Sequence, residues 1–79
     1  MKVKVLFFAS YREITGKSQI EVDVQPGETL SALTSKIRTN FPNLPESDIM
    51  IAVNQEFAKP DYVLKDGDEV ALIPPVSGG

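Results

Sequence analysis

Lys2-Val3-Lys4-Val5-Leu6-Phe7-Phe8-Ala9 decides the fold, because one face of this stretch changes character part-way along it. Successive side chains of a strand point to opposite faces, so Val3, Val5 and Phe7 form one wholly apolar face. The other face carries Lys2 and Lys4 and then turns apolar at Leu6 and Phe8. One face is thus fit for a core, and the other opens a second apolar patch at its far end. Residues 10–17 read as a loop that holds Tyr11, Arg12 and Glu13 and closes at Gly16. Residues 18–24 alternate again, with Ile20, Val22 and Val24 inward and Gln19, Glu21 and Asp23 outward. Two strands joined by so short a connection form an antiparallel hairpin.

Pro26-Gly27 ends the hairpin, and Thr29 supplies the N-cap hydroxyl of a helix. Leu30, Leu33, Ile37 and Phe41 recur at helical spacing, with Glu28 near the start and Lys36 and Arg38 near the end, where each suits the helix dipole. Pro42 stops the helix by Phe41. Residues 43–47 read as a loop, and residues 49–53 as a β-branched strand. Asn54-Gln55 makes a turn, after which Glu56-Phe57-Ala58 pairs back briefly. Asp66-Gly67-Asp68 is a tight-turn signal before a last strand over residues 69–73. Val70 and Leu72 share one face of that strand, and Glu69, Ala71 and Ile73 the other. Hairpin, helix, then further strands is an α+β arrangement, one helix covering one face of a mixed sheet of four to five strands. This is the element order of the β-grasp, ubiquitin-like fold. In that fold the first and last strands lie parallel at the sheet centre, which sets Phe8 beside Ile73. Leu6, Phe8, Ala71 and Ile73 then gather on the helix-free face, with Phe57 a candidate to join them. A cluster of that kind suggests a docking surface, ahead of a covering loop or a homodimer that would also hide it.

Residues 1–73 make the globular domain and residues 74–79 a tail. In Pro74-Pro75-Val76-Ser77-Gly78-Gly79 the proline pair lacks backbone N–H groups and has fixed φ, so the chain leaves the sheet along an extended path. Four residues beyond the prolines span at most ~13 Å at ~3.3 Å each. Two terminal glycines, without Cβ atoms, pass through a narrow channel and leave an α-carboxylate at the tip. Chain ends are often frayed and rich in glycine, so Gly78-Gly79 alone has little weight.

A chain of 79 residues holds one core. It has no cysteine and no histidine, which removes thiol chemistry, thiolate or imidazole metal sites and the commonest general base. No metal site is expected, and catalysis by this chain alone is poorly supported. A net charge of −3 argues against nucleic acid and anionic membranes and for a basic partner surface. No apolar run reaches membrane-spanning length, and Met1-Lys2-Val3-Lys4 does not begin a signal peptide, so a cytoplasmic location is expected.

Val5-Leu6-Phe7-Phe8-Ala9, Arg12-Glu13, Ala52-Val53-Asn54-Gln55, Asp66-Gly67-Asp68-Glu69-Val70-Ala71 and Pro74-Pro75-Val76-Ser77-Gly78-Gly79 resemble, in order and over nearly the whole chain, the MoaD-type sulfur-carrier subunits of molybdopterin synthase, in the MoaD/ThiS ubiquitin-like family. The C-terminal hexapeptide is the most specific of these stretches.

The resemblance implies that the Gly79 carboxylate is adenylated by an ATP-dependent activating enzyme and then converted to a thiocarboxylate. The tail, Pro74 to Gly78, would enter the synthase's large subunit and deliver sulfur to the cyclic pyranopterin precursor. Leu6, Phe8, Arg12, Phe57 and Ile73 would contact that subunit in a heterotetramer. No cofactor is implied for this chain itself, since ATP belongs to the activating enzyme. Two alternatives share the fold and the terminus. One is the sulfur carrier of thiamine thiazole synthesis. The other is a ubiquitin-like modifier joined to lysines through Gly79.

Overall fold

The computed structural model describes residues 1–44 and 50–74. Lys2–Phe7 forms β1, and Val3, Val5 and Phe7 are all buried, as the alternation requires. Residues 10–17 depart from the expected loop. Ser10–Thr15 is a short helix, α1, closed by Gly16 at φ 73°, whose N–H donates to the Arg12 carbonyl. It forms because Tyr11 is drawn into the core, 1% exposed, and the chain winds around that anchor. Six residues complete fewer than two helical turns, so no periodic stripe announces them. Gln19–Asp23 is β2, antiparallel to β1 with Val3 opposite Val22 and Val5 opposite Ile20.

Leu30–Asn40 is α2. The Thr29 side chain accepts from Ala32 N–H at 3.3 Å, the cap expected, and the helix ends at Phe41, before Pro42. Leu30, Leu33 and Ile37 are buried against Val3, Val5, Phe7, Val70 and Leu72, so α2 covers one face of the sheet. Glu28 ties the start of α2 to its surroundings: its carboxylate accepts from Gln25 N–H and from Lys36 Nζ, both at 2.9 Å. Lys36 Nζ also donates to the Asp23 carbonyl, which fastens the helix to the end of β2.

Met50–Val53 (β3), Glu56–Phe57 (β4) and Glu69–Ile73 (β5) complete a five-stranded sheet in the order β2-β1-β5-β3-β4. β1 and β5 are parallel at its centre, with Leu6 beside Ala71 and Phe7 beside Leu72. This is the mixed β-grasp sheet that the element order implies. Asn54 and Gln55 connect β3 to β4 with φ of 51° and 73°. Positive φ at both positions of a two-residue connection is the mirror-image turn whose twist matches a hairpin, and Asn tolerates it best after Gly.

Among the described residues Asp68 is the acidic residue buried with the core. Asp68 is 5% exposed and accepts from Asn54 Nδ2 at 2.9 Å, the Tyr62 hydroxyl at 3.0 Å and Lys65 N–H at 2.8 Å. Burial pushes its pKa up, but these donors together outweigh burial and hold it below the usual carboxylate value. The Tyr62 phenol is raised, by burial first and by its bond to Asp68 second. The Asp68 carboxyl is depressed on folding, so its stabilisation is complete above the unfolded carboxylate range, about pH 4, and is lost as pH falls through the folded value. Asp68→Asn should therefore cost about 2–3 kcal/mol in urea unfolding at pH 7, the scale of hydrogen bonds to a charged acceptor. The gap from the parent protein should narrow markedly at pH 3; an equal gap at both values would rule out the ionised carboxylate as the source of the stabilisation.

Candidate docking groove and tail exit

The helix-free face can be built row by row from strand register. At one end Lys4 lies between Glu21 on β2 and Glu69 on β5. The next row runs Gln19, Leu6, Ala71, Ala52, Phe57 across all five strands. Beyond it Ile73 pairs with Met50, and Phe8 follows Phe7 at the end of β1. The change from charge to apolar surface seen along β1 therefore extends across the sheet.

The middle row explains the shape. Ala52 and Ala71 are neighbours on β3 and β5, and their single methyl groups form a low floor. Leu6 and Phe8 rise on one side and Phe57 on the other, with Ile73 toward the C-terminal end of β5 and Gln55 and Glu69 at the foot. Together these residues line a groove of about 290 Å³. Phe57 is 71% exposed and Phe8 39%, a high exposure for aromatic rings on a small domain. Removing such surface from water is worth about 25 cal/mol per Å² of apolar area, so the groove is a place for a partner to gain free energy.

Local backbone chemistry aims the side chains. Ala9 takes φ 50° and ψ −126°, and Tyr11 N–H donates to the Phe8 carbonyl at 3.0 Å. That geometry favours glycine, and holding alanine there costs on the order of 1–3 kcal/mol. The reversal lets Phe8 stay on the open face while Tyr11, three residues on, enters the core. On the other flank Asn54 is gripped by Asp68, accepts from Glu69 N–H at 3.0 Å and donates its own N–H to the Glu69 carbonyl at 2.8 Å. The hairpin that presents Phe57 is thereby tied to β5.

Leu6, Phe8, Phe57 and Ile73 are thus brought together as the strand alternation and the element order predict. Arg12 is not among the groove residues; it sits exposed on α1. Ala52 and Gln55 join the groove without having been expected there, and Glu69, read on the same face of the last strand as Ala71 and Ile73, lines it too. Pro74 follows β5 directly, whereas Pro75, Val76, Ser77, Gly78 and Gly79 lie outside the described residues. Among the described residues there is no group of three or more Asp or Glu placed to hold a metal ion. No helix there is long and apolar enough to cross a membrane.

Residues 5–79 match the ThiS family. The chain belongs to that family. Over 83 residues it is 40% identical to the molybdopterin synthase sulfur carrier subunit of Chlamydomonas reinhardtii, all of both chains being covered. Among solved structures it resembles SAMP1 of Haloferax volcanii, with a TM-score of 0.87 at 27% identity and full coverage of both chains. It also resembles a chain in the complex of subunits 1 and 2 of the molybdopterin-converting factor from Helicobacter pylori, with a TM-score of 0.73, 27% identity and full coverage of both. This member of the ThiS family therefore has the ubiquitin-like β-grasp fold, and these three relatives match it end to end.

Proposed function

We propose that this chain is the sulfur-carrying small subunit of a molybdopterin synthase, acting in the cytoplasm as a donor and not as a catalyst. The observation that carries the reading is the apolar groove beside the end of β5, the strand that leads to Pro74 and onward to Gly79. Full-length relatives named as sulfur carriers of that synthase support it. So does the Helicobacter pylori complex, in which a similar chain is found with a second subunit.

The chemistry is dictated by the groups the chain lacks. A carboxylate is a poor acyl donor, and this chain has no Cys or His to supply a thiol nucleophile or an imidazole base for its activation. An activating enzyme does so: the Gly79 carboxylate attacks the α-phosphorus of ATP and pyrophosphate leaves. The terminal sulfur of a persulfide then displaces AMP from the acyl carbon, and a thiol cleaves the S–S bond to release the thiocarboxylate. That group is ionised at neutral pH and needs no base from this chain. In the large subunit its sulfur attacks a carbon of the cyclic pyranopterin precursor, a carbon–oxygen bond at that carbon breaks as the oxygen leaves, and hydrolysis of the acyl–sulfur bond regenerates the carboxylate. Each carrier brings one sulfur, so a dithiolene requires two visits. The domain holds no cofactor in this scheme, and its negative charge favours encounter with basic partners.

Incubation with the activating enzyme, ATP and a persulfide donor should raise the intact mass by one oxygen-for-sulfur exchange at Gly79. An unchanged mass would overturn the carrier role. The likeness to SAMP1, a small archaeal modifier protein, favours a second reading, that of a protein modifier. A modifier would instead appear in cell lysates as slower-migrating conjugates lost on removal of Gly79. The thiamine-thiazole carrier role is tested by the same thiocarboxylate offered to a thiazole synthase.

A further inference from the structure

Among the described residues Glu69 is the one ionisable side chain lining the apolar groove, and it is half-buried there. Its backbone is fixed on both sides by Asn54, through the Glu69 N–H to Asn54 Oδ1 and the Asn54 N–H to the Glu69 carbonyl. Its carboxylate has no such anchor. The Lys36–Glu28 ion pair lies on the helix side of the sheet, and no ion pair joins Glu69 to another described residue. Lys4 is next to Glu69 in register, but it is exposed and forms no ion pair there.

A partner that covers this groove strips water from the Glu69 carboxylate. Left uncompensated, that desolvation is strongly unfavourable and opposes the apolar contacts around it. A partner that binds well must therefore bring a cation to the foot of the groove. The groove residues also select the kind of cation. Phe57, 71% exposed, lines the same groove as Glu69, and so does Gln55, whose side chain carries an amide oxygen. A guanidinium can lie flat on an aromatic face while its forked N–H groups meet a carboxylate, which an ammonium cannot do. We propose that the foot of the groove, between Glu69 and Phe57, seats an arginine side chain of the partner that docks on this face. The inference rests on the docking role proposed above and adds to it the chemistry of the contacting residue.

The test is calorimetric titration of the full chain with the synthase large subunit, at low salt and at about 0.5 M salt, where screening is strong. Glu69→Gln keeps the shape and removes the charge; thermal melts should place it close to the parent protein. Its affinity should fall about tenfold at low salt, and Glu69→Lys should lose about a hundredfold, as expected for an interfacial charge pair broken or reversed. The parent's affinity should also decline more steeply with salt than that of Glu69→Gln. In a double-mutant cycle with Phe57→Leu, the two losses should be less than additive, because one guanidinium serves both residues. Parent-like binding by Glu69→Gln at low salt would overturn the cation seat while leaving the docking role intact. Strict additivity with Phe57→Leu would overturn arginine in favour of a cation that ignores the ring. Failure of the unmodified chain to bind the large subunit would bring down the docking role itself, and the seat with it.

Discussion

Phe8→Ala should leave the domain folded and cripple its docking, whereas Phe7→Ala, one residue earlier, should do the reverse. Phe7 is 1% exposed and meets Phe41 edge-on, with ring centroids 5.6 Å apart. Truncating a buried phenylalanine costs about 3–5 kcal/mol through lost transfer free energy and the cavity left behind. A domain of 79 residues has on the order of 4–12 kcal/mol in total, so Phe7→Ala should lower the denaturation midpoint sharply. Its folded fraction should still bind the large subunit with near-parent affinity. Phe8 is 39% exposed and faces the groove, so its truncation should cost less than about 1 kcal/mol, near the range of surface changes. In a complex the same ring is an aromatic anchor, and losing it should weaken binding at least about tenfold. Urea unfolding and calorimetric binding on the two variants separate the roles. If Phe8→Ala melts as early as Phe7→Ala while binding holds, the groove is not the docking face.

The contrast between these two adjacent residues was legible in the sequence, because alternation along β1 is a property of the strand itself. Leu30, Leu33 and Ile37, the Thr29 cap and the stop before Pro42 were legible for the same reason: each is encoded within a few residues. What escaped was decided by contacts between distant segments. α1 is too short to show a period, and its only strong signal is that Tyr11 is buried, a consequence of the fold and not of its sequence neighbours. Ala52 belongs to a β-branched run that reads alike on either face; only pairing with Ala71 makes it a groove floor. Asp68 looks like one residue of a turn, yet its partners Asn54 and Tyr62 are 14 and 6 positions away. Arg12 is a different case: the family resemblance groups it with Leu6, Phe8, Phe57 and Ile73, and it stands exposed on α1, outside the groove that those four line.

Removing Gly79 should be the most damaging change to function and among the least damaging to the fold. The last core residue among those described is Leu72, so loss of the terminal glycine should alter stability by no more than about 0.5 kcal/mol. The truncated chain still ends in a glycine carboxylate, that of Gly78, so the chemical group survives and only its reach changes. One residue of extended chain is about 3.3–3.6 Å. Reacting atoms must approach to about 3–3.5 Å in alignment, and a displacement near 1 Å already costs about a hundredfold. A carboxylate short by a whole residue should therefore be adenylated poorly, and any thiocarboxylate formed should stop short of the precursor. Sulfur transfer should fall by more than about a hundredfold. Adding one glycine beyond Gly79 should also impair transfer, now by overshoot, whereas the truncated chain should still compete with the parent for the large subunit through its intact groove. Normal molybdopterin formation by the shortened chain would mean that the terminus is not the sulfur-bearing position; failure to compete would mean that the tail, and not the groove, supplies the binding.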